Sequence, residues 1–451
     1  MIVEFAITNF RSIAGEQVLS LVCDSGGKAD IARCAGIDDG SGLMLARSAA
    51  LYGANASGKS NVLRALMALQ SMVLFSRDMK MDEAIPDYDP FALDQQWEKV
   101  PTRFSLEFVA NDLYETSRLH RYRLTLAYDA TAIREETLLV YRTRRPTMIY
   151  SRIFGKSVTW GAYLTGSKQG IERLLLDNQM LLSVAANTRD HPLSVIYHYF
   201  KTKIISPVSA LAMSGTPSTR SVALNHLRGE GAESFISAVG DMLKAIDTGI
   251  QGIRIKEQKN IPNIKFFDQF PDEVKKVAVD ILKHRPFAMH NRYDGETVVG
   301  QEEFPMANES SGTKAFFEIA PVFVEALRDG NIVLLDELGN ALHPDITRYI
   351  VTLFHNPDIN RNNAQLLFSS HDVSLLTPEL FRRDQLWFTQ KNTRGVTQLY
   401  SLLEFKKSEV RKDTDFGTWY LQGRFGALPV IDRAGMEAAL RGEATDDARK
   451  A

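Results

Sequence analysis

The hydrophobic positions of this chain change period several times, and each change marks an element. Ile2 to Ile7 is apolar and β-branched around one Glu, which reads as a strand; Asn9-Phe10-Arg11-Ser12 reads as a turn and Gln17 to Val22 as a hairpin partner. Residues 24–46 are rich in Gly, Asp and Ala and read as loop with short elements. Ser48 to Tyr52 is a short buried strand that runs into GANASGKS. Asn61 to Phe75 then places Val62, Leu66, Leu69 and Val73 at helical spacing. Residues 80–100 are polar, carry proline and read as loop. From Thr102 to Leu139 the period is two: Phe104, Leu106 and Phe108 alternate, as do Tyr122, Leu124 and Leu126. That alternation predicts an antiparallel meander.

Residues 170–200 return to helical spacing through Ile171, Leu174, Leu175, Leu181, Leu182 and Ala185, and Lys203 to Ser206 reads as a strand. Residues 210–225 are rich in Ser, Thr and Gly and read as mobile; 230–250 read as helix. Residues 251–305 are mixed, with a hairpin signal at Tyr293-Asp294-Gly295-Glu296. Ser311 to Leu327 predicts a helix, Ile332 to Leu335 a buried strand, Asp345 to Phe354 a helix and Gln365 to Phe368 a second buried strand. Strands alternating with helices imply a parallel α/β core. The expected division is 1–165 as an N-terminal lobe with the glycine loop and the meander, 166–300 as an inserted, mainly helical subdomain, and 301–451 as a C-terminal lobe.

Composition narrows the class without naming it. With 44% hydrophobic and 24% charged residues, the 451-residue chain is that of an ordinary globular protein. Its net charge of −2 is not that of a protein coating nucleic acid over its whole surface, so any such contact is a local patch. Cys23 and Cys34 have no metal-ligand company and read as two plain thiols in a reducing compartment. The start Met-Ile-Val-Glu-Phe has no basic region of a secretory signal, and the apolar runs are strand-length. A soluble, cytoplasmic chain that uses no membrane is the expectation.

Four motifs carry chemistry. GANASGKS fits G-x-x-x-x-G-K-[ST] over Gly53, Ala54, Asn55, Ala56, Ser57, Gly58, Lys59 and Ser60, with Asn61 following. Glycines let backbone N–H groups turn inward on phosphates, Lys59 adds charge at the β/γ-phosphates, and the Ser60 hydroxyl suits Mg²⁺. Second, the strand ending in Asp336-Glu337 puts two carboxylates at the ligand-binding end of a parallel sheet. Asp336 suits Mg²⁺, directly or through water, and Glu337 the base that orients a water. Third, Ser369-Ser370-His371-Asp372 also ends an apolar strand, and His371 is expected to reach the γ-phosphate. Fourth, Asn308-Glu309-Ser310-Ser311-Gly312-Thr313-Lys314 opens a helix, where free N–H groups and the dipole favour an anion.

In this order the motifs resemble the ABC-type P-loop ATPases. Ser310-Ser311-Gly312-Thr313-Lys314 is similar to the ABC signature, and Asn340-Ala341-Leu342-His343-Pro344 to the D-loop of the RecF/OLD-like branch. Phe5 to Ser12 and the tail Tyr420-Leu-Gln-Gly-Arg-Phe-Gly-Ala-Leu-Pro429 look like that branch as well. The resemblance extends to the stand-alone "AAA family ATPase" proteins of bacterial defence loci, such as AriA of the PARIS system and the ATPases that travel with RloB-like partners. Two departures stand out: Leu338-Gly339 follows the acidic pair, and the family's Q-loop glutamine has only Gln95 and Gln96 as candidates.

The resemblance implies an α/β ABC-type fold, ATP and Mg²⁺ as cofactors, and catalytic roles for Lys59, Glu337 and His371. It adds Arg11 to the nucleotide-binding residues. It places Ser310, Ser311, Gly312 and Lys314 against the nucleotide of a second copy, so that ATP closes a homodimer or a larger even assembly. It also implies a separately encoded effector, of nuclease, Toprim or RloB-like kind, in anti-phage defence. Too few residues follow His371 for a Toprim domain in this chain, and no sustained heptads support an SMC-type coiled coil. Asp413-Thr414-Asp415 follows a basic run rather than an apolar strand and reads as no metal site. A RecF-like ATPase that loads on DNA is the alternative. The basic clusters Arg118/Arg121/Arg123 and Arg142/Arg144/Arg145 fit DNA, an acidic partner or a solvated strand face.

Overall fold

The computed structural model describes residues 1–24, 30–165, 168–188, 191–206, 232–246, 248–257, 283–406, 410 and 414–441. The Ser/Thr/Gly-rich stretch 210–225 and Asp413 of the D-x-D lie outside the described residues.

Period-two sequence makes the first layer. Strands β1 (Ile2–Thr8), β2 (Gln17–Ser20), β6 (Thr102–Asn111), β7 (Leu119–Tyr128), β8 (Ile133–Tyr141), β9 (Thr147–Ile153) and β10 (Thr159–Trp160) form one antiparallel sheet, in the order β10-β9-β8-β7-β6-β1-β2. The meander thus runs two strands past Leu139. Between β2 and β6 come a small hairpin of β3 (Cys34–Gly36) and β4 (Met44–Ala46), then β5 (Ser48–Gly53) and α1 (Lys59–Phe75).

The central strands of the second sheet are buried on both faces and read as continuous, largely apolar runs. Its order is β11 (Ile204–Ile205), β15 (Ile332–Leu335), β16 (Gln365–Ser369), β5, β17 (Leu386–Lys391) and β18 (Thr397–Ser401). All pairs are parallel except β17 with β18. Alternation decides which core each residue enters. Ala49, Leu51, Ile332, Leu334 and Leu367 join α1 and the antiparallel sheet, while Ala50, Tyr52, Val333, Leu335, Leu366 and Phe368 enter the opposite core. That second core holds α6 (Ser311–Asp329), α7 (Pro344–His355) and Tyr420 of α8 (Phe416–Leu421). A last helix, α9 (Arg433–Leu440), has no buried residue.

The region expected to be a mainly helical insertion is mixed. Helices α2 (Gln169–Leu174), α3 (Leu181–Ala185) and α4 (Ser194–Lys203) belong to the first core with α1. Helix α5 (Ala232–Ala245) packs on a three-stranded antiparallel sheet of β12 (Ile250–Glu257), β13 (His284–Asp294) and β14 (Thr297–Pro305). The β13–β14 turn falls where Asp294-Gly295 predicts it, with Gly295 at φ 59°. The sheet escapes the helical reading because β14 is exposed along most of its length, so its side chains show no two-period burial signal.

The cysteine reading is overturned: Cys23 and Cys34 form a disulfide. Strand β4 brings them together, since Cys23 N–H donates to the Met44 carbonyl and Cys34 pairs with Ala46. Cysteine usage therefore gives no ground for a reducing compartment. Among the described residues no helix is long and apolar enough to cross a membrane.

Candidate functional site

The site gathers at the C-terminal ends of β5, β16 and β15, three adjacent parallel strands. Gly53 and Gly58 sit at φ 154° and 112°, and Ala56 at the exposed crest of the loop at φ 60°. A Cβ on Gly53 would lie 2.6 Å from Ser57 Oγ and 2.7 Å from Thr389 Oγ1. The loop is thus wrapped too tightly for side chains at its glycines, which is what a phosphate cradle of backbone N–H groups requires. Lys59 Nζ donates to the carbonyls of Gly53 and Ala54 at 2.9 and 3.0 Å, which spans the loop. Burial holds the Lys59 pKa below its usual value, opposed by the charges of Asp336 and Glu337.

The acidic strand end faces this loop. Ser60 Oγ donates to Asp336 Oδ1 at 3.0 Å, and Ser369 Oγ donates to the same oxygen at 2.5 Å. Glu337 is exposed and adopts φ 58°. Its N–H donates to Ser369 Oγ at 2.8 Å, and the Leu338 N–H donates to the Ser369 carbonyl at 2.9 Å. Glu337, Leu338, Gly339, Asn340, Ser370, His371 and Asp372 line a pocket of about 180 Å³. Burial first, then the Lys59 charge, hold the His371 pKa below the ordinary histidine value, while Glu337 and Asp336 pull it upward. An imidazole that stays neutral offers one donor and one acceptor. A serine hydroxyl beside a carboxylate is a hard-oxygen pair of the kind that holds Mg²⁺ with phosphate oxygens and water, so Ser60 and Asp336 fit that ion.

The rear wall of the loop comes from residues that sequence reasoning missed. Thr397 Oγ1 donates to the Ser57 carbonyl at 2.8 Å and lies 2.7 Å from Ser12 Oγ. Ser57 Oγ lies 2.6 Å from Thr389 Oγ1, and Asn61 Nδ2 donates to Ser12 Oγ at 2.7 Å. The Asn61 side chain thus serves the loop's support. Arg11, at φ 52°, pairs with Asp89 at 3.0 Å rather than extending free. Gln95 and Gln96 lie in an exposed single turn, where Gln96 donates to Asp94.

The predicted signature opens α6 as expected. Ser310 caps the helix by accepting from the Thr313 N–H at 3.1 Å, and Lys314 Nζ donates to the Ala307 carbonyl. Ser310 and Ser311 are exposed. A Cβ on Gly312 would lie 2.7 Å from the Ala341 carbonyl, so the helix start is pressed onto the segment that follows the acidic pair. Among the described residues no hydrogen bond joins Ser310–Lys314 to the glycine loop of the same chain. The first basic cluster is partly neutralised, since Arg121 and Arg123 both pair with Glu107 and lie over the Tyr141 ring. Arg142 lies over Tyr163, while Arg144 and Arg145 are exposed at a hairpin tip.

A strand, glycine loop and helix beside an acid-ended parallel strand define a P-loop nucleotide-binding domain. Residues 48–161 and 246–377, more than half of the chain, match the family described as "AAA domain, putative AbiEii toxin, Type IV TA system", and the chain belongs to that family of AAA-type ATPase domains. No curated protein matches it. Among solved structures it is similar to the SMC head bound to the C-winged helix domain of ScpA, at 11% identity and TM-score 0.41, covering 91% of this chain and 99% of that one. It is also similar to the SMC head domain from Thermotoga maritima, at 12% identity and TM-score 0.37, covering 89% and 98%. A third is the Smc head with an extended coiled coil bound to the C-terminal domain of ScpA derived from Pyrococcus furiosus, at 11% identity and TM-score 0.39, covering 89% and 96%.

Proposed function

We propose that the chain binds ATP with Mg²⁺ and hydrolyses it in a site completed by a second copy. The observation that carries this reading is the convergence of Lys59, Ser60, Asp336, Glu337 and His371 at three adjacent strand ends. Glycine-loop N–H groups and Lys59 hold the β- and γ-phosphates. Ser60 and Asp336 would hold Mg²⁺, which when bound would neutralise charge that builds on the phosphate oxygens. Glu337 orients a water whose oxygen bonds to the γ-phosphorus as the bond to the β–γ bridging oxygen breaks. The bridging oxygen leaves on ADP, and the water's proton passes by way of Glu337. His371 hydrogen-bonds the departing phosphate.

Two features support the trans role of Ser310, Ser311, Gly312 and Lys314. They open a helix with Ser310 and Ser311 exposed and Gly312 and Lys314 half-buried, and among the described residues they make no hydrogen bond to their own glycine loop. ATP then favours the closed pair and hydrolysis releases it, a population switch driven by γ-phosphate contacts. By resemblance to defence-locus ATPases, the switch acts on a separately encoded effector, with the chain as sensor or scaffold. Light scattering on wild type and Glu337→Gln, with and without ATP and Mg²⁺, tests the assembly. A mutant that retains ATP and doubles in mass agrees with the reading; one that retains ATP as a monomer removes the trans role of the signature.

A further inference from the structure

We propose that Ser369 is a positioning residue of this site, setting Asp336 and Glu337 at once through a single hydroxyl; this rests on the reading of the site as an ATP–Mg²⁺ site. Ser369 is fully buried at the end of β16, next to the acidic strand β15. Its Oγ has one proton and two lone pairs. The proton goes to Asp336 Oδ1 at 2.5 Å, and a lone pair accepts the Glu337 N–H at 2.8 Å. Its carbonyl takes the next amide, Leu338 N–H, at 2.9 Å.

This grip is placed where the backbone most needs one. Glu337 sits at φ 58°, a region that a residue with a side chain enters only when its surroundings hold it there. Ser60 is the other hydroxyl on Asp336 Oδ1, and it can keep its proton there while an oxygen lone pair faces an ion. Ser369, buried on the neighbouring strand, holds the same carboxylate oxygen from the sheet side. It also belongs to the same short segment as His371: Ser370 Oγ donates to the Leu338 carbonyl at 3.1 Å and accepts from the Asp372 N–H at 3.1 Å. Acid, base and histidine are therefore laced to one strand end. A hydroxyl one step removed from the reacting atoms typically changes metal affinity or activity by roughly 10- to 100-fold when lost.

The test uses the full chain with Ser369→Ala and Ser369→Thr. Three quantities are read: kcat at saturating ATP and Mg²⁺, affinity for a fluorescent ATP analogue without Mg²⁺, and the Mg²⁺ concentration giving half-maximal binding of that analogue. For Ser369→Ala the expectation is a kcat lower by roughly 10- to 100-fold. The half-saturating Mg²⁺ should rise several-fold, and metal-free nucleotide affinity should stay within about twofold. Ser369→Thr, which restores the hydroxyl, should recover most of both losses. An alanine variant with wild-type kcat and Mg²⁺ dependence overturns the proposal. So does one whose metal-free affinity falls in parallel, which marks a packing defect, or a threonine variant as impaired as alanine. A wild-type chain that binds ATP but releases no phosphate sinks the hydrolysis reading alone, and the Mg²⁺ titration then decides Ser369.

Discussion

Thr397 occupies the space that a side chain on Gly58 would need. Its hydroxyl donates to the Ser57 carbonyl at 2.8 Å, and a Cβ on Gly58 would collide with that Oγ1. The pair fixes the glycine loop from behind, across most of the length of the chain.

Gly58→Ala meets two obstacles, the collision and a φ of 112°. Strain of that kind costs about 1–3 kcal/mol. ATP affinity is expected to fall by roughly 100-fold at 2.7 kcal/mol of it. Titration with a fluorescent ATP analogue measures this, and near-wild-type affinity would show that the loop does not bind phosphate in this shape.

Thr397→Val keeps the shape and removes the hydroxyl. One hydrogen bond is worth about 1 kcal/mol, so a fall in ATP affinity of about fivefold with unchanged circular dichroism is expected. No change would mean that the Ser57 carbonyl needs no support.

Gly312→Ala puts a methyl group 2.7 Å from the Ala341 carbonyl and must shift the start of α6. ATP-driven association should weaken while ATP binding by the single chain is retained. Sedimentation or light scattering at several protein concentrations separates the two.

His355 makes stability depend on pH. Burial first, then Arg33, lowers its pKa to about 3, and its Nε2 lies 2.8 Å from Ser48 Oγ. The unfolded chain takes up the proton near the ordinary value, about 6.5. The contribution is therefore present above pH 6.5 and is lost as pH falls toward 3, by about 1.4 kcal/mol per pH unit. Melting temperatures of wild type between pH 7 and 5 should fall more steeply than those of His355→Gln.

The Cys23–Cys34 bond closes a short loop, with 11 positions of sequence separation. Loop entropy assigns it about 3 kcal/mol. Cys34→Ser, or reductant, should lower the melting temperature, and alkylation of the unreduced, denatured chain should find no free thiol.

Much of the site was readable because its chemistry is local. Gly53 to Ser60 is one stretch, and Asp336-Glu337 and His371 each end an apolar strand. The two-period run of β6 and β7 gave the antiparallel layer for the same reason. What escaped is held by contacts without local pattern. Ser12 and Thr397 are 385 positions apart, and Thr389 touches Ser57 across 332. A threonine that braces a loop looks, in sequence, like any threonine in a strand. The disulfide escaped because two cysteines 11 positions apart are brought together by β4, which lies farther along the chain than either.

Gln365 opens the strand that Ser369 closes. Its Oε1 accepts from the Ile2 N–H at 2.6 Å, and its Nε2 donates to the carbonyls of Ile2 and Ala46 at 3.1 and 3.0 Å. One fully buried amide thus bolts the inner edge of β1 to β16 in both sliding and rotation. The strand that ends beside His371 is therefore hydrogen-bonded at its other end to the antiparallel sheet, so the two sheets share a side-chain join at the end remote from the candidate site.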